Sequence, residues 1–426
     1  MFDEEEHTGI TEDAPDTIRN AWKKAKADMK RTFTKLQEMP YEDKIKRQER
    51  IAKEYYEEVT NRYGKNVHVS VGGLDSIVLT IWLHSIGIDC PAISVSNVEN
   101  QGNQLVHRAL GIEVVKSYKS KVKVLNECGF PVISKRIAGK INLLQNPTED
   151  NKTVRHAIIT GECGEQGHFA KNSRMKLPKK WLKLFGGYEN KNENVNYQKP
   201  NFKVSNDCCY WLKEKPCDDW AKEHNSFPYL ALMASEGGQR EEALVEHGCN
   251  YYGKTTVRSA PFAPFLRNDI LRLALEMDEW YHSHLDLFED LYKKQPYSRD
   301  ASGNYIPYNP VASIVPSAYG EIKQHDNGDY YTTRAQRTGC SMCGFGIHLE
   351  KRPHRFDVLR QDNPKEWEFY MKACCTDPET GEKFGWGRVL DYIGIGWEDV
   401  PPEQTTLFDF MLPDGTLIEN EEEHDE

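Results

Sequence analysis

The stretch VHVSVGGLDSIVL at residues 67–79 constrains the fold more than any other part of the chain. An apolar run stops at Gly72 and Gly73, and Asp75 and Ser76 open a second apolar run. The alternation continues downstream. Residues 67–71 read as a strand, 76–86 as a helix, AISVSNV (92–98) as a strand, 100–110 as a helix and EVV (113–115) as a strand. Short β-like runs separated by helical patterns imply βαβ units and a parallel sheet. The expected class is therefore α/β with a doubly wound parallel sheet. IAGKINLLQ (137–145) adds a helix, and AIITG (157–161) and YLALMAS (229–235) read as further strands.

Around this sheet the sequence divides into four regions. Residues 1–62 form a helical N-terminal arm with helices over 17–37 and 41–62, separated by Pro40, which ends a helix rather than sitting inside one. Residues 63–295 form the α/β domain that carries the glycine loop, with a basic insertion near 169–200. Residues 296–410 form a C-terminal, α-rich region that carries a C-x-x-C, with irregular chain or a small hairpin over 297–337. Residues 411–426 are an acidic tail.

The 426 residues, 38% hydrophobic and 28% charged, describe a soluble globular protein with a sizeable core. No apolar run approaches the roughly 20 residues that span a bilayer, so no membrane partner is expected. The acidic start, MFDEEEHTGITEDAPD, is not a signal peptide, and the expected location is cytoplasmic. In a reducing compartment the eleven cysteines read as thiols or metal ligands rather than disulfides. The net charge of −11 argues against indiscriminate nucleic-acid binding but leaves room for a local basic groove. Residues 171–185, with Lys171, Arg174, Lys176, Lys179, Lys180 and Lys183 around Trp181 and Phe185, could contact a nucleic-acid backbone or pack as an amphipathic helix.

Two sets of residues carry chemistry. A glycine loop between strand and helix leaves amide groups without internal partners, and with the helix dipole these form an anion site on Gly72, Gly73 and Ser76. Asp75 could cap the helix or help to order a metal such as Mg2+ or a water. The other set is cysteine: Cys208 and Cys209 are adjacent in SNDCCYWLKEKP, and Cys340 and Cys343 form the C-x-x-C of GCSMCGFG. Adjacent thiolates diverge and rarely hold one zinc, whereas a cubane cluster offers separate irons to each. A [4Fe–4S] cluster, a zinc site and structural thiols all remain open.

VGGLDS resembles the SGG-x-DS pyrophosphate loop of the adenine-nucleotide α-hydrolase, or PP-loop, superfamily, with Val71 at the first Ser position and Leu74 where many reductases have Lys. CCYWLKEKP is similar to the CC-x-x-(R/K)-K-x-x-P of assimilatory adenylylsulfate reductases, with Lys213 or Lys215 in the basic position. In that family the CC pair and a later C-x-x-C bind a [4Fe–4S] cluster beside the nucleotide. MASEGGQRE (233–241) resembles the T-G-x-R region, which makes Arg240 the residue facing the distal anion, and Arg337 precedes the C-x-x-C. The chain thus looks closest to bacterial and phage proteins of the phosphoadenosine phosphosulfate (PAPS) reductase-like type. The resemblance implies an adenine nucleotide (adenylylsulfate, PAPS or ATP) beside the cluster, sulfur reduction or transfer, and a thioredoxin-like or persulfide donor as partner.

The reductases' C-terminal E-C-G-(L/I)-H nucleophile motif is absent, and the late cysteines are Cys374 and Cys375 in KACCTDPETG. They are the candidate nucleophiles, provided a cation lowers a thiol pKa, or else a structural pair. The alternatives are a PP-loop ATP pyrophosphatase that transfers sulfur to nucleic acid, and a nucleotide-sensing module that has lost catalysis. Asn97 and Glu99, just after the second strand, are further candidates for contact with the nucleoside.

Overall fold

The computed structural model describes residues 16–162, 175–187, 189–190, 195–196 and 198–398. The arm is helical as expected: α1 (Asp16–Gln37) and α2 (Tyr41–Glu57) flank Pro40, which stands at the N-cap of α2. Helix α2 continues through a π-helical turn, Glu58–Arg62. The arm is built into the molecule. Ala52, Tyr55 and Val59 are completely buried in the main core, Tyr229 donates its hydroxyl to the Ala52 carbonyl at 2.7 Å, and the buried Lys44 ammonium meets Asp269 at 2.6 Å.

Strand β1 (Asn66–Ser70), helix α3 (Leu74–Ser85), strand β2 (Ala92–Ser94), helix α4 (Gln101–Ala109) and strand β3 (Glu113–Val114) follow in turn. The chain then leaves the sheet. It makes α5 (Lys121–Glu127), β4 (Val132–Ile133), α6 (Lys135–Gln145), α7 (Lys152–Thr160), α8 (Lys179–Phe185) and the hairpin β5 (Glu189–Asn190) with β6 (Val195–Asn196). It returns with β7 (Ser226–Tyr229), β8 (Asn250–Tyr252) and β9 (Val257–Ser259). The sheet order is β3-β2-β1-β7-β9-β8, parallel throughout except for the β8–β9 pair. The fold is mixed α/β with a mostly parallel central sheet. Successive connections run outward from β1 to β3, and the chain then crosses to the other side of β1, so the direction of winding reverses there. Helix α3 is apolar almost all round and buried from Ile77 to Leu83, as a helix between a sheet and another helix must be.

A second core sits beside the first. Phe130, Trp181, Phe185, Phe356 and Trp386 meet there, contributed by residues 125–204 and by the C-terminal helices Arg355–Asp362, Pro364–Lys372 and Trp386–Ile393. Two distant stretches thus build one unit, so the boundaries read from sequence at 295/296 and around 169–200 do not follow the packing. Gly344–Phe345 pairs in parallel with β4 across this join.

Several local expectations shift. AIITG is the end of helix α7, closed by Gly161 at φ 85°, because Ala157 and Ile158 lie on the buried face of an amphipathic helix. In YLALMAS only Tyr229 belongs to the strand. In the basic segment, Trp181, Leu182 and Phe185 of α8 fill the second core while Lys179, Lys180 and Lys183 stay exposed. Lys171, Arg174 and the tail 411–426 lie outside the described residues. The hairpin expected within 297–337 forms from Ile322–Gln324 and Tyr330–Thr332. Among the described residues no helix is long and apolar enough to cross a membrane.

Candidate functional site

The glycine loop joins β1 to α3 at the point where the strand order reverses, the position at which open α/β sheets leave a crevice at their strand ends. Its hydrogen bonds are specific. The Gly72 amide donates to Ser76 Oγ at 2.8 Å, and the Ser76 hydroxyl donates to the Gly73 carbonyl at 2.9 Å. The Leu74 amide donates to Tyr319 Oη at 3.3 Å. His107 reaches the Gly72 carbonyl through Nε2 at 2.8 Å, and its Nδ1 lies 2.9 Å from Ser96 Oγ. Burial lowers the His107 pKa, against the pull of Glu99, so the neutral ring suits both bonds. A Cβ at Gly73 would stand 2.9 Å from Tyr319 Oη and 3.1 Å from the Thr338 carbonyl, so glycine is required where the chain leading to Cys340 presses on the loop. An anion cradled here would draw its amide donors away from Ser76 and Tyr319.

Cys208 and Cys340 pack in one small core, and Cys209 and Cys343 lie within electrostatic reach of them. Cys208 and Cys209 lie on the turn Asp207–Cys209, which runs into a π-helical turn, Tyr210–Glu214, a conformation that recurs at functional sites. Cys340 bridges antiparallel to Glu99, with Asn100 donating to the Gly339 carbonyl at 3.0 Å and Ser341 to the Val98 carbonyl at 3.1 Å. Gly344–Phe345, directly after Cys343, is fixed to β4. The C-x-x-C is therefore pinned to both units at once. Burial pushes all four thiols up, and the neighbouring sulfurs push further. Cys208 feels Cys340, Cys209 and Cys343, and Cys340 is pushed up to about 11. Among the described residues no group of three or more His, Cys, Asp or Glu side chains is placed to hold a metal ion.

Cations surround the sulfurs. Lys121 donates to the Ser341 carbonyl at 3.0 Å and acts electrostatically on Cys340 and Cys208. Lys135 acts on Cys209, and Arg355 on Cys343. Lys213 forms an ion pair with the buried Glu99 carboxylate, and Gly72 lies directly against this pair. Burial opposes the Lys213 charge, but Cys340 and Glu99 overcome it and raise its pKa well above the usual lysine value. Lys215 instead turns to Asp219 at 2.8 Å. The four thiols are thus kept protonated by burial, with three lysines and an arginine close enough to oppose that shift.

Three arginines gather around Glu236 and Asp75. Arg240 and Arg337 share Glu236, the first in direct ion pairing and the second at 3.5 Å, with side chains 50% and 63% exposed. The Arg240 partner is thus Glu236, one turn back. Arg267 holds Asp75 at 2.7 Å, and burial pushes the Asp75 carboxyl up while Arg267 and Arg337 pull it down. Asp75 is committed to this arginine and does not cap α3. Glu99, engaged with Lys213, and Asn97, bonded to Ser117 at 3.4 Å, have protein partners of their own.

Cys374 and Cys375 do not join the site. They are 3% and 2% exposed in the second core, with sulfurs 3.8 Å apart. The hydrogen bond with Cys375, together with burial, holds the Cys374 thiol protonated. A nucleophilic role needs an accessible thiolate, and both sulfurs are buried. The sequence reading passed over Lys121, Tyr319 and Arg267. Nothing local marks them: Tyr319 meets Leu74, and Arg267 meets Asp75, across 245 and 192 residues of chain.

No family model, curated protein or solved structure matches this chain.

Proposed function

We propose that this chain binds an adenine nucleotide at the glycine loop beside a [4Fe–4S] cluster held by Cys208, Cys209, Cys340 and Cys343, and that it acts in sulfur reduction or transfer. One observation carries the reading: cysteine pairs 131 residues apart in sequence come together within electrostatic reach, and the Glu99–Lys213 pair joins them to Gly72. The winding reversal at β1 supports a doubly wound, adenine-nucleotide-α-hydrolase-like sheet. In this reading Gly72, Gly73 and Ser76 receive the phosphates, Arg240 and Arg337 face the distal anion, and Lys213 balances charge between nucleotide and sulfurs. A cluster in this place supplies an electron-exchanging, Lewis-acidic centre close to the substrate.

The burial of Cys374 and Cys375 favours a second reading over direct reduction. An ATP-splitting sulfurtransferase takes its sulfur from a persulfide donor and needs no late nucleophilic thiol of its own. Anaerobic purification followed by iron, sulfide and zinc analysis tests the cluster. About four irons and four sulfides, lost in Cys208→Ala, are expected; stoichiometric zinc or no metal overturns it. Sulfite release from adenylylsulfate or PAPS with a thioredoxin-like reductant then marks a reductase, ATP-to-AMP turnover marks a sulfurtransferase, and nucleotide binding without turnover marks a sensor.

A further inference from the structure

A cavity of about 400 Å³ lies at the end of the sheet opposite the glycine loop. Strands β1 and β7 pair from their first residues, Asn66 with Ser226, and both of these line it. So do Asp89 and Pro91, just before β2, and Glu113, the first residue of β3. Four neighbouring parallel strands thus begin around one hollow. Thr60 of the π-helical turn Glu58–Arg62 reaches the same hollow, as does Trp220 of the helix Lys215–Glu223. A volume of this size takes a small molecule, and π-helical turns recur at functional sites.

The charge of the lining has one sign. Glu113 and Asp89 contribute carboxylates, and the lining includes no lysine or arginine. Trp220 donates its indole N–H to Glu113 Oε1 at 2.7 Å, which fixes that carboxylate against a buried ring. Asp89 faces His84 at 3.8 Å, but burial lowers the His84 pKa, so at pH 7 that ring brings no balancing charge. His68, bonded to Ser226, is neutral as well, its pKa pushed down to about 4. Among the described residues neither carboxylate pairs with a lysine or arginine.

Much of the remaining lining is aromatic. Trp220 stacks on His224 with ring centres 4.0 Å apart, and Tyr56 is half-buried beside Thr60 on the arm. Carboxylates next to aromatic rings suit an organic cation, which gains charge pairing and cation–π attraction together. A hard metal ion wants a shell of oxygens instead.

We propose that this cavity binds a small organic cation, an amine or guanidinium compound, with its charge on Glu113 and Asp89 and its carbon chain against Tyr56 and Trp220. The site lies at the far end of β1 from Gly72 and does not rest on the nucleotide-and-cluster reading.

The test is isothermal titration calorimetry of the full chain at physiological salt with agmatine and 1,4-diaminobutane. 1,4-Butanediol serves as the neutral control and Mg2+ as the inorganic one. At least one of the amines is expected to bind at a single site per chain with submillimolar affinity, and neither control should match it. Glu113→Gln keeps an acceptor for the Trp220 indole and should lose about tenfold in affinity. Asp89→Asn, at a side chain 86% exposed and so harmless to folding, should lose about as much. Glu368→Gln, at an exposed carboxylate of the second unit, should bind like the wild type. Iron content should be unchanged in all three variants, which keeps a failure here distinct from a failure of the cluster assignment. Absence of binding by both amines at millimolar concentration overturns the proposal, and so does affinity retained in Glu113→Gln or in Asp89→Asn. Equal loss in Glu368→Gln, or equal binding of Mg2+ or 1,4-butanediol, overturns it too, by showing attraction to the acidic surface at large or unselective filling of the cavity.

Discussion

His68 shows how burial fixes a charge state. It is 1% exposed on β1, bonded through Nδ1 to Ser226 Oγ at 2.8 Å and packed edge-on against Trp220. Burial, with His224 nearby, pushes its pKa down from 6.5 to about 4. The folded state therefore excludes a proton that the unfolded chain accepts below pH 6.5. This contribution to stability is complete above pH 6.5 and is lost as the pH falls toward 4, by up to about 3 kcal/mol. Denaturant titrations at pH 7 and pH 5 should show that loss, and His68→Gln should flatten it; an unchanged pH dependence in the variant would assign the proton elsewhere. Gly73 makes the complementary point about space. Gly73→Ala drives a methyl against Tyr319 Oη and the Thr338 carbonyl and should cost about 1–3 kcal/mol in thermal or chemical melts. A neutral result would mean that the chain before Cys340 yields freely.

At the scale of elements, the C-x-x-C depends on a two-residue strand. Gly344–Phe345 pairs with Val132–Ile133, and a Cβ at Gly344 would stand 2.5 Å from the Trp386 ring and 3.0 Å from the Pro131 carbonyl. Gly344→Ala should therefore disturb the second core and the setting of Cys343 together. The melting temperature and, for the proposed cluster, the iron content of anaerobically purified protein are expected to fall in parallel, and a fall in one without the other would show that the strand pair does not position the thiol. The helical elements follow their local signals. Pro40 separates α1 from α2, and alternation marks β1, α3, β2, α4 and β3 within a few residues of their observed ends. AIITG failed as a strand because a short β-branched run fits either period, and the surrounding helix from Lys152 to Thr160 decided the matter.

At the scale of the whole molecule, the arm, the sheet and the second unit are held together by contacts distant in sequence. The Lys44–Asp269 pair is 3% and 11% exposed, and Asp269 also accepts from the Leu266 amide at 2.7 Å. Lys44→Ala leaves that carboxylate buried without its cation and should cost about 3–5 kcal/mol. Calorimetry should show a lowered single transition if arm and sheet unfold as one; a separate early transition would instead make the arm an independent layer.

The sequence by itself determined which residues are candidates for a site and most of the elements that bear them. Paired glycines before a helix, adjacent cysteines and a C-x-x-C are short-range patterns with short-range physical causes, and so is the period of a strand or a helix. Tertiary structure alone decided which of them meet. It brought Cys208 and Cys209 to Cys340 and Cys343, and set Lys213 with Glu99 against Gly72. It turned Asp75 to Arg267 and enclosed Cys374 and Cys375 in a core assembled from two distant stretches. Burial, and the shifts in charge state that follow from it, depend on neighbours from elsewhere in the chain, and no window of sequence contains them.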